Sequence, residues 1–242
     1  MIPLALAGAA QAAPNLVING GFETCVTSGV TGACTNQEVN NASPSNLFGW
    51  TTTSQYSFVI PASALVTTNG NTTLTTTGQY GSLSMWTFST VSPDGGAFLL
   101  QDSAYLQGTL SQTITGLVVG RSYNVGFYQA AAQQSGYTGA TTDYWQVNFG
   151  AATQNSALMS DVSQGFVPWM AQSMTFIATA VSQTLGFMSV GTPSGQPPFA
   201  ALDGVSVTLV PEPAALPLLG LGLLGLAWVR RRLHRSEERD RQ

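Results

Sequence analysis

The chain is 242 residues long, with seven basic and eleven acidic residues, one histidine and two cysteines, for a net charge of −4. Between residues 13 and 211 seven carboxylates face a single cation, Arg121, which leaves that stretch at −6. A stretch so anionic excludes nucleic acid and acidic polymers as partners, and its solubility rests on Thr, Ser, Asn, Gln and Gly.

Residues 2–10 are apolar and run into Ala10-Gln11-Ala12, the small-x-small form of a signal-peptidase site. No basic residue precedes them, so residues 1–12 read as the remnant of a signal peptide whose start lies upstream. Asn15-Leu16-Val17-Ile18 opens the first expected strand. Cys25 and Cys34 sit nine apart. An even cysteine count in an exported chain reads as one disulfide closing a small loop. Neither the spacing nor the supply of other ligands suits a CxxC redox motif or a zinc site.

From there the chain shows short alternations of apolar and polar residues broken by Gly, Asn, Asp and Pro, with almost no helical period. Strands are expected at 57–61 and 82–88, with the threonine-rich 67–77 between them as a polar loop. A brief strand at 97–101 follows the turn Pro93-Asp94-Gly95-Gly96. Residues 105–115 are expected to pair with 122–129 across 116–120, and 171–178 to form a hairpin with 183–190. Residues 144–149 turn Trp145, Val147 and Phe149 inward, and 201–209 close the domain with Val205, Val207 and Leu209 in step. The run 130–134 is the one helical hint and reads better as a loop. About ten such strands argue for an antiparallel sandwich or barrel whose first and last strands lie close together.

Val210-Pro211-Glu212-Pro213 is a rigid break that neither strand nor helix continues. Residues 214–229 carry no charge and are rich in Leu and Gly. As a helix they span roughly 24 Å, a little short of the roughly 30 Å hydrocarbon core. Pro217, Gly220, Gly222 and Gly225 make the segment a poor buried core helix. Arg230-Arg231-Arg232-Leu233-His234-Arg235 supplies a basic stop, kept in the cytoplasm by the positive-inside rule, and snorkelling arginines cover the shortfall.

Pro-Glu-Pro, an apolar segment and an arginine cluster, in that order, resemble the PEP-CTERM sorting signal of Gram-negative bacteria. The resemblance implies an exported protein, held transiently in the inner membrane until an exosortase-type transpeptidase cuts near Pro211, Glu212 and Pro213. Arg230, Arg231 and Arg232 would be the membrane stop, and the destination is the cell surface or extracellular matrix.

Asn15-Leu-Val-Ile-Asn-Gly-Gly-Phe-Glu23 resembles the opening strand of galactose-binding-like jelly rolls, a group that includes many carbohydrate-binding modules. Gly49-Trp50, Leu110-Ser-Gln-Thr-Ile-Thr-Gly-Leu117, Gly120-Arg-Ser-Tyr123 and Leu202-Asp203-Gly204-Val205 match further pieces. The resemblance implies a structural Ca²⁺ between the opening and closing strands, with Glu23 and Asp203 at the matching positions. Calcium takes about six to eight oxygens, and carbonyls near Asn19 and Gly21 would add to the two carboxylates. The family often has a second acid where Gly204 stands here. The competing reading makes Glu23 and Asp203 ordinary turn residues.

His234, the single histidine, lies in the tail, so the domain has neither a Ser-His-Asp triad nor a histidine metal site. A glycosidase pair of carboxylates about 5–10 Å apart has Asp94 with Asp102, or Asp143 with Asp161, as candidates. Asp94 and Asp161 sit in turn-like sequence, where Asp is ordinary. Sugar binding calls for exposed aromatic rings. Trp86, Tyr128 and Trp169 are the leading candidates, with Tyr80, Tyr137 and Tyr144 behind them, against a default of core packing. Trp145 and Trp50 are assigned to the core.

The expectation is an all-β protein: an antiparallel jelly-roll sandwich over 13–209, then a C-terminal hydrophobic helix within the sorting segment 210–242. Its expected role is non-enzymatic, at the cell surface or in an extracellular polysaccharide matrix, with weak binding of neutral polysaccharide. The alternatives are a purely structural or adhesive surface protein and a glycan-active hydrolase.

Overall fold

A computed structural model describes residues 13–39, 45–68, 71–75, 82–88 and 90–211. The apolar segment 214–229, Glu212, Pro213, Arg230, Arg231 and Arg232, and residues 1–12, lie outside the described residues, as does Tyr80. Among the described residues no helix is long and apolar enough to cross a membrane.

The early strands are short: β1 (Thr24–Thr27), β2 (Val30–Ala33), β3 (Gln37–Glu38), β4 (Thr51–Thr52) and β5 (Ser57–Pro61). Next come β6 (Val66–Thr68), β7 (Asn71–Thr75), β8 (Ser82–Trp86), β9 (Ala97–Asp102) and β10 (Thr109–Thr115). The second half holds the long strands: β11 (Ser122–Gln133), β12 (Thr141–Phe149), β13 (Ala152–Asn155), β14 (Met159–Asp161), β15 (Phe166–Ile177), β16 (Ser182–Thr192) and β17 (Pro198–Leu209). All pairings are antiparallel.

Two six-stranded sheets form the sandwich. The first runs β13-β12-β16-β10-β4 with β14 also on β12, and the second runs β15-β11-β17-β9-β5-β3. From β9 to β12, and again from β15 to β17, each strand lies in the opposite sheet from its predecessor. The two expected hairpins are therefore corrected. β10 pairs with β16 and β4 rather than with β11, and β15 pairs with β11 rather than with β16. Alternation shows that Leu110, Ile114, Tyr123, Val125 and Phe127 are inward-facing, but it carries no information about which side of one core each strand lines. All five are buried in the same inter-sheet core.

Phe187 sits in that core, with Phe127 at 5.2 Å, Trp145 at 6.2 Å and Trp50 at 6.4 Å between ring centroids. Burying each such ring stabilises the fold by about 1.5–3 kcal/mol relative to exposure. Gln101 ties the sheets together through the same core. Its Nε2 donates to Ser57 Oγ, and its Oε1 accepts from Ser189 N–H and Oγ–H.

Three further expectations are corrected. Residues 15–18 form no ladder strand, because side chains take most of their backbone hydrogen bonds. Gln112 Oε1 accepts from Ile18 N–H while its Nε2–H donates to Ile18 O, and Asn15 Oδ1 accepts from Val17 N–H. Within 67–77, β6 and β7 pair with one another and β7 with β8, so this polar run is largely sheet. The 130–134 run mostly continues β11. Ala130, Ala131 and Ala132 are fully buried because both faces of the sheet are covered there, which removes any alternation.

That second cover is a distinct apolar cluster. Leu83 and Met85 of β8, with Phe88, lie over Phe58, Phe98, Leu100 and Phe199 on the outer face of the second sheet. The opening segment meets the closing strand as expected: Leu16 N–H donates to Val207 O, and Val205 N–H to Gly20 O.

Candidate functional site

The 19–23 turn sits hard against β17. Asn19 (φ +54°) and Phe22 (φ +58°) adopt left-handed backbone, and the Asn19 side chain clamps the turn through Thr24 and Phe48. Trp50 Nε1–H caps Asn19 O. At Gly20 any Cβ would collide with Val205 O, so the chains approach this closely only because position 20 is glycine.

This approach brings Glu23 to Asp203, and a third acid joins them. A Cβ built on Gly21 would lie 2.9 Å from Asp94 Oδ2 and 3.9 Å from Asp203 Oδ1, so both oxygens face one small space. Glu23 Oε1 is fixed by the Ala97 N–H at 2.7 Å. Glu23 and Asp94 form the exposed rim, while Asp203 is the fully buried floor. Burial pushes the Asp203 carboxyl up to about 8, and Asp94 and Glu23 add to the rise. Ser92 and the Gly204 N–H lie near enough to ease that charge, but neither closes a hydrogen bond onto it, and both oxygens lack a partner. A bulge in β17 opposite 126–128 puts Gly204 at φ +58°, and the Asp94 Cβ comes within 3.2 Å of where its side chain would be. The glycine at 204 thus makes room for the acid at 94.

Among the described residues no three carboxylates, imidazoles or thiols converge tightly enough to cage a metal unaided. A hard cation would therefore draw further oxygens from main chain and water, as Ca²⁺ commonly does. The buried, unpartnered oxygens of Asp203 fit such an ion.

A cavity of about 320 Å³ opens elsewhere, lined by Tyr56, Tyr105, Tyr137, Asp102, Gln134 and Pro197 among others. Tyr105 and Tyr137 are 52% and 41% exposed, whereas Tyr56 is buried and meets Tyr105 edge-on at 5.6 Å. Asp102 Oδ1 accepts the N–H groups of Ala104 and Tyr105 at 2.8 and 2.9 Å, a turn that sets Tyr105 at the cavity edge. Burial raises the Asp102 carboxyl to about 6 despite those two bonds.

The three leading aromatic candidates do not share this cavity. Trp86 donates Nε1–H to Tyr137 O, and so braces the loop that carries Tyr137. Trp169 donates to Thr90 O and packs edge-on against Phe88 and Phe98. Tyr128 stands opposite Asp203 with its ring over Gly204, beside the acidic site. Tyr144 is half-buried on β12. The sequence reading missed Tyr56 and Tyr105; Asp102-Ser-Ala-Tyr105 directly after a strand was the available signal. Of the paired acids, Asp94 and Asp102 separate to different sites, while Asp143 and Asp161 come together. Cys25 and Cys34 are joined, and Cys25 lies in the inter-sheet core.

Residues 209–232 match the family described as the PEP-CTERM protein-sorting motif. No curated protein matches the chain. Among solved structures, the chain is similar to TmCBM61, solved in complex with β-1,4-galactotriose, at 16% identity over 83% of this chain and 100% of that one, TM-score 0.41. The CBM22-1 xylan-binding domain of Paenibacillus barcinonensis Xyn10C is 12% identical over 85% and 100%, TM-score 0.38. The K1 cleaved adhesin domain of the Lys-gingipain of Porphyromonas gingivalis W83 is 10% identical over 68% and 92%, TM-score 0.40. No ligand of this chain follows from likenesses at this level.

Proposed function

We propose that this chain is an exported, non-catalytic module of the cell surface or extracellular matrix that binds neutral carbohydrate weakly. The observation that carries the reading is the tyrosine-lined cavity. Two exposed phenol rings offer apolar faces for a pyranose, and Gln134 and Asp102 offer hydrogen-bonding groups beside them. Among the described residues Asp102 is the single carboxylate lining it, whereas glycoside hydrolysis ordinarily needs two facing one bond. The sorting motif supports export, transient inner-membrane residence and an exosortase-type processing partner. Glycan-array binding by the full-length chain tests the reading: retention of neutral oligosaccharides without turnover supports it, and hydrolysis of a bound glycan overturns it.

The same reading gives Glu23 and Asp203, joined by Asp94, a structural Ca²⁺. The ion would neutralise the buried Asp203 carboxylate and hold the opening turn to the closing strand, far from the tyrosine cavity in role.

A further inference from the structure

A second group of oxygens lies between the sheets, and neither the glycan cavity nor the first acidic site uses it. Asp143, on β12, points into the sandwich on the same face as Thr141 and Trp145. Thr141 pairs across the ladder with Asp161 of β14, so Asp161 is the diagonal neighbour of Asp143. On the other side Asp143 faces Gly191 of β16. Gly191 has no side chain, and a Cβ there would lie 2.7 Å from Ser103 Cβ; Gly191 N–H donates to Ser103 O at 2.7 Å. Ser103, which follows β9 in the opposite sheet, is thereby pressed towards Asp143. At Gly165 a Cβ would collide with Asp161 Oδ1, so the 161–165 turn closes over that carboxylate.

All four side chains are buried: Asp143 and Ser103 fully, Thr141 at 2% and Asp161 at 4% exposure. Both oxygens of Asp143, Oδ2 of Asp161, Oγ1 of Thr141 and Oγ of Ser103 have no hydrogen-bond partner. Ser103 lies close enough to Asp143 to ease its charge, without closing a hydrogen bond of good geometry. Five orphaned oxygens from two strands and a loop therefore share one end of the core. Such a set is expensive to bury unless something positive fills it. Among the described residues no basic side chain does: Arg121, the one cation between 13 and 211, precedes the start of β11, whereas this cluster lies beyond its far end, where Gln133 pairs with Pro198.

We infer that Asp143, Asp161, Thr141 and Ser103 form a second, buried site for a divalent cation, of which Ca²⁺ is the best match. The donors are all hard oxygens, which disfavours zinc and other metals that prefer nitrogen or sulfur. The irregular mix of carboxylates and hydroxyls suits calcium better than the strict octahedron of magnesium. The ion ties β12, β14 and the end of β9 together directly behind Asp102, which lines the tyrosine cavity.

The test is calcium stoichiometry on metal-free full-length protein in mild detergent, by equilibrium dialysis, with terbium luminescence sensitised through nearby Trp145 as a second readout. The Asp203→Asn variant removes the first site and is the background. That variant should still bind one Ca²⁺ per chain, and adding Asp161→Asn or the isosteric Asp143→Asn should weaken it at least tenfold and quench the terbium signal. Thr141→Val, which keeps both carboxylates, should weaken binding several-fold if a double variant misfolds. If Asp203→Asn abolishes all calcium binding, or Asp161→Asn changes nothing in that background, this site does not exist. One ion lost with Asp161→Asn but kept with Asp203→Asn would leave this site standing and remove the other.

Discussion

Glu23 Oε1 accepts the main-chain N–H of Ala97 at 2.7 Å, joining two residues 74 positions apart at the mouth of the acidic site. The bond exists because Gly96, at φ +63°, lets the Glu23 carboxylate lie where any Cβ would be. Gly96→Ala should therefore destabilise the protein by about 1–3 kcal/mol through backbone strain and displacement of Glu23. Urea denaturation measures it. The same change at Gly95, whose Cβ would meet nothing within 4 Å, isolates the strain alone, since Gly95 also has positive φ.

Burial holds Asp203 and Asp143 up to about 8, against an ordinary value of 3.8. Glu23 and Asp94 face the first, and Asp102 and Asp161 the second, all of one sign. The folded state thus keeps protons that the unfolded chain has released. In metal-free protein this stability is fully present below about pH 4 and is lost as the pH rises through about 8. Saturating Ca²⁺ should flatten the decline, and at a hundredfold excess over Kd one site adds about 2.7 kcal/mol. For a chain this size each kcal/mol moves Tm by about 2–4 °C. Melting curves at pH 5, 7 and 9, with calcium and with chelator, measure both effects. Asp203→Asn should remove its share of the pH slope and of the calcium response.

What the sequence made legible follows from which forces are local. Strand alternation is local, so Trp145, Val147 and Phe149 were assigned inward and Val205, Val207 and Leu209 placed in step; all are buried but Leu209, which packs on the core half-buried at the strand's end. Partner choice is not local: nothing in residues 109–115 states that β16 rather than β11 lies beside them. The alanines of 130–132 concealed a strand because a sheet covered on both faces has no polar side to display. At the acidic site Glu23 and Asp203 were named from sequence, but Asp94 was not, because its arrival depends on Gly204 and the bulge in β17. The tyrosine cavity was hidden for a similar reason. Tyr56, Tyr105 and Tyr137 come from three separate segments, brought together by the fold alone.

The sorting motif at 209–232 makes a prediction independent of the fold. Precursor should fractionate with membranes, and the mature exported protein should end near Pro213. Mass spectrometry of the secreted form reads the C-terminus directly. Replacing Pro211 and Pro213 by alanine should leave the full-length chain in the membrane fraction.

The most direct measurement of the central claim is affinity electrophoresis of the wild type and of Tyr105→Ala in gels containing neutral polysaccharides. Tyr105 is half-exposed at the edge of the cavity, so its loss should spare the fold while removing a sugar-stacking face. Nucleic-acid bases stacked on aromatic side chains contribute about 1–3 kcal/mol each, and a sugar face stacked on Tyr105 on the same scale corresponds to a roughly five- to hundredfold loss of affinity. The account predicts retardation of the wild type by at least one neutral polysaccharide, lost in Tyr105→Ala and unchanged in Trp169→Phe, whose ring packs against Phe88 and Phe98. Equal retardation of wild type and Tyr105→Ala, or none for any polysaccharide, would contradict it.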